Sequence, residues 1–122
     1  MHDRHRGTRT SDEIAWLAVT NGLRGECEGD LPCHATRANT LYGEYLRRHP
    51  QGIFADQAVR GLFQSALWWR DAMANPRVFN PVGECAPLMQ PVAAIRMAVE
   101  GARAADRDRT LRELDEIRRA CS

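Results

Sequence analysis

From Phe54 to Ala74 the chain places apolar residues at every third or fourth position and contains no proline. Phe54, Ala58, Leu62, Ala66 and Trp69 or Met73 fall on one stripe of a helix, and Val59, Phe63 and Leu67 widen it. With about 3.6 residues per turn, such a stripe covers much of the helix circumference. A helix apolar on so many sides has to be surrounded, so this segment is expected at the centre of the domain.

The same periodicity recurs on both sides of it. Thr10 with Glu13 three residues on fits a capping box, and Ile14 and Leu17, with Trp16 and Val19, supply the apolar side of a first helix. Asn21-Gly22 weakens that helix and Gly25 ends it. A second helix is predicted over 34–48, with Ala38, Leu41, Tyr42, Tyr45 and Leu46 inward and His49-Pro50-Gln51-Gly52 as its stop. Residues 76–87 read as a loop anchored by Phe79 and Val82. A fourth helix is predicted over 87–105, with Pro91 in its first turn and Leu88, Val92, Ile95, Val99 and Ala102 inward. A fifth over 107–120 carries Leu111, Leu114, Ile117 and Cys121 on one face. Its Arg109–Glu113, Arg112–Glu116 and Asp115–Arg119 pairs are four residues apart, which dresses a solvated face. No segment shows strand-like alternation. The expectation is an all-α fold, five helices in a small bundle or stacked helix hairpins. A flexible segment, 1–9, precedes a single helical domain, 10–122.

Four cysteines, Cys27, Cys33, Cys85 and Cys121, allow three pairings. Cys27 and Cys33 flank the turn-forming Glu28-Gly29-Asp30-Leu31-Pro32, so a local bridge is sterically easy. Cys85 lies before the fourth helix and Cys121 at the end of the fifth; an antiparallel hairpin brings them within the roughly 7 Å that a disulfide spans. Two structural disulfides imply an oxidising compartment, periplasmic or extracellular. The alternatives are four reduced thiols in a cytoplasmic protein, or a zinc site using Cys27, Cys33 and His34. No cysteine pair has the C-x-x-C spacing of a zinc knuckle. His34 itself reads as a plain loop or first-turn residue.

All 17 basic residues are arginine. A chain without lysine has no Schiff-base lysine and no P-loop or kinase lysine, which removes several large enzyme classes. The formal net charge of +1 supplies no global field towards nucleic acid or an anionic membrane. No apolar run approaches the roughly 20 residues that span a bilayer, so membrane insertion is not expected. Met1 to Arg9 is polar and basic without an apolar h-region, unlike a signal peptide; it reads as a flexible start or as the new N-terminus left by removal of a leader.

The run Tyr45-Leu46-Arg47-Arg48-His49-Pro50-Gln51-Gly52-Ile53-Phe54-Ala55-Asp56-Gln57-Ala58 resembles the hairpin junction of tetratricopeptide-like repeats in bacterial envelope proteins. There an aromatic helix end, a proline–glycine turn and an alanine-rich second helix recur. Trp16 sits where such repeats place an aromatic in an earlier helix. The resemblance implies a scaffold that binds proteins or peptides and carries over no catalytic residue. It does not extend through the C-terminal half, which holds no second copy, and two disulfides are not typical of the repeat.

Candidates for chemistry are few. Cys33 and His34 are adjacent in sequence, which does not make a nucleophile–base dyad. Ser11, Ser65 and Ser122 lack a G-x-S-x-G context. Glu26, Glu28 and Asp30 lack the D-x-D-x-D-G order of a calcium loop, and His2 and His5 sit in the polar N-terminal segment. No catalytic, cofactor or metal site is therefore assigned. The unusual local feature is Trp68-Trp69-Arg70: neighbours on a helix point about 100° apart, so one tryptophan enters the core and the other is left at an interface or exposed. Tryptophan and arginine are favoured at binding hot spots, which makes Trp68, Trp69 and Arg70 candidate partner-binding residues. Arg47 and Arg48 complement the end of the second helix and are candidates for a basic patch with Arg4, Arg6 and Arg9. The functional expectation is a non-enzymatic helical protein-interaction module of the bacterial envelope or extracellular space, needing no cofactor. The alternatives are an inhibitor or immunity-type protein that binds an effector enzyme, and a small-molecule or metal-binding helical protein.

Overall fold

The computed structural model describes residues 11–21 and 27–122. Thr10 of the expected capping box, the Gly22 and Gly25 stop signals, and His2, His5, Arg4, Arg6, Arg9 and Glu26 lie outside the described residues. Five helices and no strand are present among those described. They are α1 (Ser11–Asn21), α2, α3 (Ala55–Met73), α4 (Pro81–Glu100) and α5 (Arg107–Ala120). The second helix, α2, runs as Leu31–Ala38, widens into a π-helical turn at Asn39–Gly43, and finishes as Glu44–Arg48.

Two antiparallel hairpins, α2/α3 and α4/α5, lie side by side, α2 along α4 and α3 along α5, so the four helices close a ring; α1 packs outside it against α2. Buried along the ring are Leu31, Leu46, Leu62, Trp69, Leu88, Val92, Ile95, Leu114 and Ile117. At one end the two turns are tied together: the Arg103 amide donates to the Pro50 carbonyl (2.8 Å) and the Ala105 amide to Asp56 Oδ1 (2.9 Å). At the other end, where α4 begins and α5 finishes, Cys85 is bonded to Cys121, with Cα atoms 5.6 Å apart. Cys27 is bonded to Cys33 at the start of α2, with Cα atoms 5.5 Å apart. Both expected bridges are formed, and such bridges favour oxidising surroundings. No helix of the described residues is long and apolar enough to cross a membrane.

Three helix starts and stops depart from the sequence reading. α2 begins at Leu31 rather than near residue 34, because Asp30 caps it: its carboxylate accepts from the Cys33 amide (3.1 Å), and Pro32 occupies the first turn. α4 begins at Pro81 rather than Pro87. Asn80 Oδ1 accepts from the Val82 amide (3.2 Å) while Glu84 accepts from the Asn80 amide (2.8 Å), a reciprocal cap. The expected loop anchor Val82 therefore lies on the first helical turn and is 95% exposed, whereas Phe79 is buried as expected. Pro87 and Pro91 then fall inside α4, where neither supplies an amide to the carbonyl four residues earlier. α4 stops at Glu100, and Ala102 is buried from the following turn rather than from the helix.

The first helix is also rotated from expectation. Ile14 and Leu17 are 62% and 58% exposed, while Asp12, Trp16 and Val19 face the ring. The cause is polar. Asp12 is buried; it accepts a short hydrogen bond from Tyr45 Oη and one of 3.0 Å from the Ile53 amide. Tyr45 Oη in turn accepts from the Phe54 amide (3.1 Å). Burial, reinforced by Asp12, pushes the Tyr45 phenol well above its ordinary value, so it remains a donor. Trp16 stacks on Phe54 with ring centres 5.2 Å apart and meets Tyr45 edge-on at 5.3 Å. Gly52 has to be bare, since a Cβ there would lie 2.5 Å from Tyr45 Oη and 2.8 Å from Asp12 Oδ2.

The charged face of α5 is not simply solvated. In place of the expected pairs four residues apart, two of its acids reach arginines on other helices, and others of its contacts are three residues apart along α5 or to its N-cap. Glu113 meets Arg70 of α3 (2.5 Å), Asp115 meets Arg96 of α4 (2.7 Å), and Arg109 meets Asp106 (3.0 Å). Arg119 pairs with Glu116 one turn back. The Arg96 guanidinium holds the Asp115 carboxyl below its ordinary range.

This packing sets two expectations for stability. Tyr45→Phe removes both a donor to a buried carboxylate and an acceptor for a backbone amide; unfolding in urea should show a loss of about 1–3 kcal/mol. An unchanged midpoint would mean that Asp12 does not depend on the phenol. The second concerns the bridges, which close loops of very different length, with sequence separations of 36 and 6. Chain-entropy arguments give about 4 kcal/mol for Cys85–Cys121 and about 2 kcal/mol for Cys27–Cys33. The Cys85→Ser/Cys121→Ser protein should therefore melt well below the Cys27→Ser/Cys33→Ser protein.

Candidate functional site

On α3 the buried stripe is Ala55, Ala58, Val59, Leu62, Ala66 and Trp69. Trp68 sits one residue round from that stripe, and the helix turns it outward: it is 49% exposed while Trp69 is 2% exposed. Leu67 is exposed beside it, at 42%. The expectation that the two tryptophans separate is met, and it is Trp69 that is withdrawn as a contact residue, because α3 buries it in the core.

Trp68 is held from the α2 side. The His34 ring meets the indole edge-on, with ring centres 5.0 Å apart and planes at 80°. His34 Nε2 donates to the Glu28 carbonyl (2.6 Å); a carbonyl only accepts, so Nε2 carries the proton. Glu28 lies in the turn closed by the Cys27–Cys33 bridge, where the Asp30 amide donates to the Cys27 carbonyl (2.9 Å). Its φ of 50° is in the left-handed region, unusual for a non-glycine residue and a form of strain that surrounding structure has to hold. The line of support thus runs from the disulfide through the Glu28 carbonyl and His34 to the indole. His34, read from sequence as a plain loop or first-turn residue, is the missed participant. Its spacing from Trp68 carries no signal, because the contact forms only when α2 and α3 fold into a hairpin.

Trp68 also walls an open pocket of about 420 Å³ with Asp71, Ala72, Ala74, Asn75 and Val78. The α3 end and the turn after it shape this hollow: Asn75 Oδ1 accepts from the Arg77 amide (3.0 Å), and the Val78 and Phe79 amides donate to the Asn75 carbonyl. The hollow therefore joins an exposed indole, a carboxylate and small apolar side chains.

The other candidate residues are occupied within the molecule. Arg70 is turned to Glu113 on α5. Arg47 donates to Asn39 Oδ1 (2.9 Å) and to the Asn39 carbonyl (3.1 Å), stitching the π turn across Gly43, where a Cβ would lie 2.6 Å from Asn39 Oδ1. Both Arg47 and Arg48 pair with Glu44, whose carboxyl they hold below its ordinary value. Arg47 and Arg48 thus brace α2 at its surface, and the Arg4, Arg6 and Arg9 that would complete the expected basic patch lie outside the described residues. Cys27 and Cys33 are bonded to each other, which takes them out of any zinc set and any thiol chemistry while the bridge stands. Among the described residues no three His, Cys, Asp or Glu side chains converge on a point where a metal could bind. Ser65 is half-buried on α3, and Ser122 Oγ donates to the Arg119 carbonyl. A second groove, of about 480 Å³, runs between α2 and α4 beside Thr36, Thr40, Pro87, Gln90 and Pro91.

Compared with known proteins, the chain matches no family model, no curated protein and no solved structure.

The geometry makes Trp68 the accessible fluorophore, since Trp69 is buried and Trp16 is packed among Tyr42, Tyr45 and Phe54. Trp68→Phe should remove most of the acrylamide-quenchable emission of the native protein. A quenching curve unchanged by the substitution would place Trp68 away from solvent.

Proposed function

We propose that this protein is a non-enzymatic interaction module that works in an oxidising compartment outside the cytoplasm and binds a protein partner through the Trp68 face of α3. One observation carries the reading: an indole left 49% exposed on the outer face of α3, with a histidine packed perpendicular to it that a disulfide-closed turn holds in place. A large aromatic already fixed before binding loses little side-chain freedom on association, which is the property of an interface anchor. Leu67 and the pocket beyond Trp68 extend the contact area. The two bridges support the location, since they persist where thiols are kept oxidised. The resemblance of the Tyr45–Ala58 run to tetratricopeptide-like hairpins supports the scaffold role and the envelope setting.

The test is a capture experiment in cells that make the protein, with a photo-crosslinking residue at position 67. Wild-type protein should capture a defined extracytoplasmic partner. Trp68→Ala should weaken the purified complex by about thirtyfold or more, as truncation of a hot-spot tryptophan does, with its helical circular dichroism unchanged. Full affinity in the folded Trp68→Ala protein would remove this face as the binding surface.

A further inference from the structure

Beside Trp68 one carboxylate is left without a partner. From Asp56 to Glu116 every other carboxylate is engaged. Asp56 and Glu84 accept backbone amides, Glu100 and Asp115 meet Arg96, and Asp106 meets Arg60 and Arg109. Asp108 meets Arg107, Glu113 meets Arg70, and Glu116 meets Arg119. Asp71 alone in that stretch has neither an ion pair nor a side-chain hydrogen bond among the described residues. Its two neighbouring cations do not serve it: Arg70 is committed to Glu113, and Arg77 is exposed and does not line the pocket. Three residues apart on one helix, Trp68 and Asp71 lie on the same face and wall the same pocket.

An exposed indole next to an unpaired carboxylate can receive a cation. The molecule uses the same pairing internally, elsewhere on α3. There the Arg109 guanidinium lies 4.0 Å from the centre of the Phe63 ring while its Nε meets Asp106 at 3.0 Å. A planar guanidinium suits the arrangement better than an ammonium, because it is more weakly hydrated, stacks on an aromatic face and forks onto a carboxylate. We propose that the pocket beside Trp68 takes an arginine side chain of the protein partner, its guanidinium laid on the indole and hydrogen-bonded to Asp71. This rests on the reading of the Trp68 face as the binding surface and names the chemistry it recognises.

The probe is N-acetyl-arginine amide, with the neutral isostere N-acetyl-citrulline amide as control. Binding is read from the indole N–H resonance of Trp68 in a ¹⁵N-labelled sample, assigned by its disappearance in Trp68→Phe. The arginine amide should shift that resonance saturably and the citrulline amide should not. Asp71→Asn, an exposed change, should weaken the arginine response by about threefold, as loss of an exposed ion pair does, without altering the melting temperature. Equal responses to arginine and citrulline, no response to arginine, or an undiminished response in Asp71→Asn would each overturn the proposal. If arginine fails while Trp68→Ala still loses its captured partner, the surface stands and its ligand chemistry is wrong. If both fail, the surface itself is wrong.

Discussion

The Cys85–Cys121 bridge closes the end of a bundle whose core is thin. Seven of the 22 buried apolar residues among those described are alanines: Ala35, Ala38, Ala55, Ala58, Ala66, Ala98 and Ala102. Small side chains let helices approach closely, but each removes little apolar area from water, and burial is worth only about 25 cal/mol per Å². Large aliphatics that would add to the core lie on the surface instead, as with Ile14, Leu17, Ile53 and Met97. A short helical chain arranged this way gains from covalent closure. The bridge holds the start of α4 against the finish of α5, while the Arg96–Asp115 and Arg70–Glu113 contacts fix the register of α5 on its two neighbours. The opposite end has no bridge among the described residues, and the Asp12–Tyr45 contact with the 52–54 turn does the corresponding work by hydrogen bonding.

The second bridge has a different consequence. It closes a short turn, so its contribution to global stability is the smaller of the two. What it fixes is local: the Glu28 carbonyl, the His34 ring that donates to it, and through that ring Trp68. The two disulfides thus brace different features at the same end of the bundle, one the α4/α5 hairpin and the other the His34–Trp68 contact. The pocket beside the indole is walled by the end of α3 and the turn that follows it, and Asp71 is presented from the helix itself.

Much of this is legible in the residues. The five helices, the two cysteine pairings, the inward faces of α4 and α5, that of α3 apart from the exposed Leu67, and the opposite fates of Trp68 and Trp69 follow from period-3.6 spacing and from the turns and hairpins it implies. The misses have three causes. Periodicity counts apolar residues, and α1 is oriented by a polar one. Asp12, Trp16 and Val19 form its inward stripe, so the apolar pattern puts Ile14 and Leu17 on the wrong side. The early start of α4 is hidden because proline reads as a breaker unless Asn80 and Glu84 are recognised as a cap around Pro81. Spacing places the α5 pairs within the helix, whereas Glu113 and Asp115 reach to residues 43 and 19 positions away that no local pattern can anticipate. For the same reason the histidine brace of Trp68 and the isolation of Asp71 appear only once the helices are assembled.

Covalent closure is tested most directly by the intact mass of the protein after alkylation, without and then with reduction, followed by peptide mapping. The expected result is no label before reduction and four after it, with non-reduced peptides joining Cys27 to Cys33 and Cys85 to Cys121. Four labels without reduction, on protein kept throughout under the redox conditions of the cells that make it, would contradict it. The His34–Trp68 brace would then lose its anchor, and nothing in the cysteines would favour oxidising surroundings.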